Sequence, residues 1–234
     1  MDTNFWGIDV GGEGKTIAAL ITEKKGKFEI SFQPIDTVQS FWAMWLRNSG
    51  PVAIDAPLSY DITSPNGMRE IDRHWRKKMP QNNFQNWISS PHSLQVVPLK
   101  GIWLAKKITS TIIECHPRVG MYVAGDNRKD IKKALETYKL RRNRKANINK
   151  IKKSCKIISE WLCPERGNFQ LINIKKDQLT DDYLDALFCA LLALTFANNP
   201  THLKLFDKFS FPNMLSNSEE TFLPSNNIRQ MFIK

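Results

Sequence analysis

The stretch that decides the fold is Asn4–Thr16, which reads NFWGIDVGGEGKT. An almost wholly apolar run leads to one carboxylate, Asp9, and the sequence then changes to glycine. A run that is apolar on both faces is typical of a strand inside a sheet that is covered on both sides. An ionised Asp at the end of such a strand is costly unless a cation meets it. The stretch therefore predicts either a ligand-binding carboxylate at a sheet edge or an Asp that caps its own turn.

The composition indicates a single globular domain, 1–234, with a strongly basic segment. The net charge is 34 − 23 = +11, and Lys129–Lys156 alone holds twelve Lys or Arg against two acids. This excess indicates an acidic partner, nucleic acid first and an anionic membrane surface second. The alternative is a basic helix face that is simply solvated.

The cysteines and the apolar runs indicate the cellular compartment of the protein. The four cysteines have no zinc-site spacing, so we interpret them as free thiols of a reducing compartment. The N-terminus shows no signal-peptide pattern, and the longest apolar run, Ala186–Ala197, is too short to cross a bilayer. We therefore expect a cytoplasmic protein with no membrane partner.

The first half of the chain predicts a sheet with two acids at one edge. Three strands form a meander, a helix begins at Thr37, and Pro51–Asp55 is a second apolar strand that ends in Asp. A strand that follows a helix in this way lies parallel beside the first strand. Asp9 and Asp55 then emerge together at the carboxyl edge, where α/β sheets bind their ligands.

The remaining elements complete an α/β domain. Thr109–Cys115 supplies the fifth strand of a mixed sheet in the order 3-2-1-4-5, and Phe169–Ile174 is a last strand with no place in that order. We expect helices at Gly67–Met79, Asp130–Lys145, Asn147–Leu162 and Asp181–Asn198. The expected subdivisions are an insertion or lid at 56–108, a basic helical arm at 129–163 and a polar C-terminal tail at 200–234.

The last helix carries acids that capping does not explain. Asp182 and Asp185 are three residues apart, so they lie on one helix face, and Asp185 stands between leucines of an apolar element. If this helix packs near strands one and four, four carboxylates converge: Asp9, Asp55, Asp182 and Asp185. Oxygen ligands of this kind suit Mg²⁺ or Mn²⁺, and a pair of such ions is a standard device for hydrolysing phosphodiesters.

Glu114 ends the fifth strand and is a further candidate for the site. It can serve as a ligand or carry a proton during catalysis. The alternative is a salt bridge to Arg118 or to a nearby lysine.

Five motifs in order carry a resemblance to a known family. They are GIDVGG, VAIDAPLS, GMREIDRHWR, ECHP and DDYLDALFCALLA. The chain resembles an uncharacterised family of predicted nucleases with an RNase H fold, domain of unknown function 429. The resemblance implies an RNase H-like sheet with functional carboxylates at Asp9, Asp55 and Asp185. The spacing of Asp182 and Asp185 is also similar to the last helix of Holliday-junction resolvases, whereas the first helix lacks the Glu of ribonuclease H, for which Glu114 can substitute.

Basic residues outside the acid cluster are candidates for nucleic-acid contact. Arg69 and Arg73 lie on the helix of the insertion, where they can clamp a phosphate, brace the edge of the site or form a surface ion-pair ladder. The basic arm supplies the other candidates, which would neutralise phosphates without reading sequence: Arg141, Arg142, Arg144, Lys145, Lys152 and Lys153.

We therefore predict a nuclease that depends on Mg²⁺ or Mn²⁺, with a two-ion site and with Asp9, Asp55, Glu114 and Asp185 as catalytic residues. One alternative is a phosphotransferase, because GIDVGG is similar to the phosphate loop of actin-like ATPases and sugar kinases. A P-loop is excluded, since Asp9 stands where its first Gly is required. The other alternative is a nucleic-acid-binding module that does not cleave.

Overall fold

The structure is a computed structural model. It describes residues 3–12, 14–59, 68–79, 87–89, 94, 96–125, 127–139, 148–164 and 167–198, and the backbone of strands at 203–205 and 228–233.

The protein is α/β, with a mixed sheet at its centre. The strands are β1 (Thr3–Asp9), β2 (Thr16–Lys24), β3 (Lys27–Ile35), β4 (Val52–Asp55), β5 (Ile112–Glu114), β6 (Phe169–Leu171), β7 (Leu203–Leu205) and β8 (Ile228–Ile233). Strands β1 to β3 form an antiparallel meander, β4 lies parallel to β1, and β5 lies parallel to β4. The sheet order is β6-β3-β2-β1-β4-β5, and β8 and then β7 continue it beyond β5.

The predicted order 3-2-1-4-5 is found within this sheet, but the prediction of five strands is wrong in detail. Strand β6 pairs with the outer edge of β3, and β8 pairs with β5. The tail at 200–234 therefore contributes strands, which its scattered apolar residues did not indicate. Strand β7 has only three residues and is too short for alternation to reveal it, whereas β6 lies within the predicted strand Phe169–Ile174.

Seven helices surround the sheet in the described part of the chain. They are α1 (Val38–Arg47), α2 (Glu70–Lys78), α3 (Val96–Ala105), α4 (Pro117–Ala124), α5 (Lys129–Thr137), α6 (Ile148–Leu162) and α7 (Asp181–Asn198). The sequence predicted five of them. Helix α3 has apolar residues on all sides, so its sequence shows no apolar stripe. Helix α4 begins just after β5 with a proline in its first turn, and its sequence was not recognised as a separate helix. Helix α5 ends at Thr137, earlier than expected.

The two faces of the sheet are covered by different helices, which explains the apolar run of β1. Phe5 packs in a core with α4 to α7, whereas Trp6 packs in a second core with α1 and α3. Alternate residues of β1 therefore enter opposite cores. Helices α5 and α6, expected as a basic arm, lay their apolar faces on the first of these cores.

Helix α7 crosses β1 at backbone distance because the strand has a glycine there. A Cβ atom at Gly7 would lie 2.1 Å from the carbonyl oxygen of Ala186 and from the amide nitrogen of Ala190. This close approach brings the first turns of α7 beside the carboxyl end of β1.

Two further sequence predictions concern membrane-spanning segments and the state of the cysteines. Among the described residues, no helix combines the length and apolar character needed to cross a lipid bilayer. All four cysteines are buried free thiols, as expected.

Candidate metal centre

Three aspartates from distant parts of the chain meet at the carboxyl end of β1. Asp9 and Asp55 are paired in register on β1 and β4, and Asp185 reaches them from α7. One carboxylate oxygen of each residue lies within 4.8 Å of the others. Asp185 is completely buried, Asp9 is 8% exposed and Asp55 is half-buried. The structure thus brings together three of the four predicted metal ligands.

The three carboxyl groups disfavour one another's ionised form. Burial raises the pKa of Asp9 well above its ordinary value, and the charge of Asp185 raises it further. Burial also raises the pKa of Asp55, although the charge of Lys139 and, less strongly, a hydrogen bond with Asp9 partly offset this. The pKa of Asp185 is raised to about 7, again mainly by burial. Three such acids ionise together only if a cation neutralises them.

Lys139 and Tyr138, which follow α5, hold Asp185 in place. The Tyr138 hydroxyl donates a hydrogen bond of 2.9 Å to Oδ1 of Asp185, and the Lys139 ammonium forms an ion pair with Oδ2. Burial alone would lower the pKa of Lys139, but the Asp185 carboxylate outweighs burial and holds this pKa well above its ordinary value. The sequence analysis did not identify Lys139, because it is one of twelve basic residues in its segment.

Asp9 and Asp55 line a cavity of about 230 Å³ that has both polar and apolar residues in its lining. Asp9, Asp55, His116 and Lys139 contribute polar groups. The other lining residues are mostly apolar, and the largest of them are Pro57, Trp87, Leu94 and Val97. A ligand in this cavity would therefore meet both carboxylates and apolar side chains.

Asp182, the fourth predicted ligand, lies one turn from Asp185 but outside this group of three. It is half-buried, and its charge contributes to the raised pKa of Asp9. It is therefore close enough to act on the site electrostatically.

Glu114 is engaged by Arg69 in a buried network behind the site. Arg69 is only 2% exposed, and its Nη1 and Nη2 donate to the two carboxylate oxygens of Glu114 at 2.8 Å and 2.6 Å. The same guanidinium donates to both oxygens of Asp72. Glu114 also accepts a hydrogen bond of 2.8 Å from the backbone N–H of Leu58. Glu114 therefore forms a salt bridge, but with Arg69 and not with Arg118.

This network argues for the bracing role of Arg69. A guanidinium enclosed by two carboxylates cannot reach a phosphate at the surface. The alternative partner Arg118 instead donates to the carbonyl oxygen of Leu135 and lies over the ring of Trp87, 3.7 Å from its centre.

His116 links the buried network to the cavity. Its Nε2 lies 3.7 Å from Oδ1 of Asp72. Burial would lower the pKa of His116, but the neighbouring Asp72 outweighs burial and raises it. Asp72, Glu114 and His116 form a second group with metal-like spacing, yet Arg69 already neutralises both of its carboxylates.

Comparison with known proteins identifies the family. A family model described as "Protein of unknown function (DUF429)" matches residues 7–203, which include all three clustered aspartates. The chain belongs to the DUF429 family. No curated protein and no solved structure matches it significantly. The resemblance seen in the sequence is confirmed at the level of this family, whose description names no activity.

The donor set of the DUF429 protein fits a hard divalent cation. All three clustered donors are carboxylate oxygens, and Mg²⁺ and Mn²⁺ prefer oxygen ligands. Burial raises the pKa of each acid despite the charge of Lys139, and a bound divalent ion would favour the ionised carboxylates.

Three of the eight predicted nucleic-acid contacts are exposed, whereas Arg69 is buried and the prediction for it is wrong. Arg73 is exposed on α2, and Lys152 and Lys153 are exposed on α6. The other four candidates of the basic segment fall outside the described residues: Arg141, Arg142, Arg144 and Lys145.

Proposed function

We propose that this DUF429 protein is a divalent-metal-dependent nuclease with an RNase H-like fold. The observation that carries the proposal is the meeting of Asp9, Asp55 and Asp185 in one carboxylate cluster at the edge of a cavity, although up to 176 residues separate them along the chain. The order 3-2-1-4-5, with an acid at the end of β1 and of β4 and a third on the last long helix, supports the fold assignment.

The residues of the site have separate tasks in this proposal. Asp9, Asp55 and Asp185 would hold the ion, which supplies Lewis acidity and lowers the pKa of a water molecule. Tyr138 orients Asp185 through its hydroxyl hydrogen bond to Oδ1, which holds this carboxylate within the acid cluster. Arg69 fixes Glu114 at the end of β5, which keeps the carboxyl edge of the sheet rigid beneath the cavity.

Nucleic acid is the substrate that best suits the charge of the chain. The net charge of +11 favours a polyanion, and Lys152 and Lys153 present two exposed cations on α6. Contacts of this kind bind backbone phosphates without reading sequence.

Cleavage assays on labelled substrates test this function. Purified protein is incubated with single-stranded, duplex, hybrid and branched nucleic acids in Mg²⁺ or Mn²⁺. We expect cleavage that Asp55→Asn and Asp185→Asn each abolish, while Asp130→Asn, a surface acid paired with Arg128, retains it.

Three other outcomes would contradict the nuclease. Cleavage unchanged by both site variants would assign the activity to a contaminant. Salt-dependent binding without cleavage would indicate a non-catalytic module. Stabilisation by ATP without affinity for nucleic acid would indicate a phosphotransferase.

A further inference from the structure

Lys139 places a positive charge among the three aspartates. Its ammonium pairs with Asp185 and lines the same cavity as Asp9 and Asp55. The side chain is 31% exposed, whereas Asp185 is completely buried. Lys139 is thus both part of the acid cluster and reachable from the cavity.

The charges of the site match one divalent ion. Three carboxylates carry −3 when ionised, and Lys139 reduces this to −2. A single Mg²⁺ or Mn²⁺ then neutralises the group, whereas two ions would leave an excess of +2 in a largely buried site, which is costly.

The described residues add no further carboxylate to this group that could help to hold a second ion. Both oxygens of Glu114 are held by Arg69, and one also accepts the N–H of Leu58. Asp182 is not in the group whose oxygens lie within 4.8 Å of one another. No further carboxylate among the described residues joins that group.

We propose that the site binds one divalent ion and that Lys139 is its second cation, which contacts a phosphate oxygen of the substrate. The phosphate contact rests on the proposed nuclease function, whereas the single-ion stoichiometry does not. Because Lys139 repels the ion and attracts the phosphate, its removal should affect the two ligands in opposite directions.

Titration of the full-length protein with Mn²⁺, followed by electron paramagnetic resonance and calorimetry, measures the stoichiometry directly. We expect one ion per wild-type chain at this site and none in Asp9→Asn. Lys139→Gln should bind Mn²⁺ at least about tenfold more tightly, since a like charge has been removed.

The attraction of Lys139 for phosphate is measured by the binding of a short labelled oligonucleotide in the presence of Ca²⁺. We expect Lys139→Gln to weaken it about tenfold, the size of one lost charge-assisted hydrogen bond. Lys139→Arg, which retains the charge, should resemble the wild type in both titrations. If the role of Lys139 were merely structural, Lys139→Gln would weaken the binding of both Mn²⁺ and the oligonucleotide, or of neither.

The outcomes separate this inference from the proposed function. Two ions per wild-type chain, both lost in Asp9→Asn, would overturn the single-ion site and leave a nuclease intact. Unchanged affinities in Lys139→Gln, or a failure of Lys139→Arg to bind the oligonucleotide, would overturn the role of Lys139. No Mn²⁺ binding to the wild type would overturn both proposals. The wild-type stoichiometry tests the single-ion site even if Lys139→Gln does not fold.

Discussion

Asp9 and Asp55 are register partners on two hydrogen-bonded parallel strands. Neighbouring strands lie about 4.8 Å apart, so two in-register side chains at the same edge stand side by side. Two acids in this position repel each other, and Asp185 adds a third. The arrangement is unfavourable for folding alone, which is the physical reason to assign it a ligand.

The first prediction concerns the pH dependence of stability without divalent ions. The pKa of Asp185 is raised to about 7, whereas an unfolded Asp titrates at about 4. The folded state therefore binds the proton more tightly, and stability falls as the pH rises from about 4 to about 7. Thermal unfolding in a chelator should show this loss, and Mg²⁺ or Mn²⁺ should reverse it at pH 7.5.

Two variants check the origin of that loss. Asp9→Asn removes one charge of the cluster, so stability should fall less with pH than in the wild type. Asp130→Asn should leave the slope above pH 5 unchanged, because the pKa of Asp130 is lowered to about 2 by its hydrogen bonds with Arg128. Wild-type stability that falls over this range no more than that of Asp9→Asn would contradict the prediction.

The second prediction concerns the contact of α7 with β1. Gly7→Ala would place a Cβ 2.1 Å from two backbone atoms of α7, so the helix must move away from the strand. We expect a loss of about 1–3 kcal/mol in the free energy of unfolding, together with weaker Mn²⁺ binding because Asp185 moves with the helix. Gly12→Ala is the matched control, since its added Cβ meets no atom within 4 Å among the described residues, apart from its own chain neighbours. Equal effects of the two variants would refute this account of the packing.

The third prediction concerns the buried arginine. Arg69→Met leaves Glu114 and Asp72 without their common partner, and breaking a buried ion pair costs about 3–5 kcal/mol. Urea denaturation should show a loss of this size. Lys77→Met, at an exposed position of α2, should change stability by no more than about 0.5 kcal/mol. Adding Glu114→Gln to Arg69→Met should restore part of the stability; a further loss would show that the charges are not coupled as the structure indicates.

The fourth prediction concerns the exposed lysines of α6. Replacing Lys152 and Lys153 by Gln removes two phosphate contacts, so nucleic-acid affinity should fall and its salt dependence should decrease by about one to two units of slope. Fluorescence anisotropy at several salt concentrations measures both. The same change at Lys25 and Lys27, exposed in the β2–β3 turn, is the control. If replacing Lys25 and Lys27 reduces the slope of the salt dependence as strongly, nucleic-acid binding does not depend on α6.

Local pattern predicted the central sheet because each strand carries its own signal. The apolar run before Asp9 and the run before Asp55 each end in an acid, and the helix between them implies a parallel crossover. Helix α7 was equally clear, since eighteen residues of apolar character leave no other assignment. Strand β6 was predicted without its position, because pairing with β3 depends on residues far away in the chain.

Long-range contacts decided the roles of the charged residues. Arg69 has the same local sequence signal whether it faces solvent or Glu114, which lies 45 positions further along the chain. Lys139 is likewise indistinguishable from its basic neighbours until the end of α5 is placed against α7.

The sequence by itself determined the secondary structure around Asp9, Asp55 and Asp185 and the edge at which the first two emerge, because periodicity and strand order are local properties. Only the tertiary structure decided that Arg69 is buried, that Glu114 is already paired and that Lys139 enters the acid cluster. Burial and charge pairing depend on which distant residues meet, and no local pattern encodes that meeting.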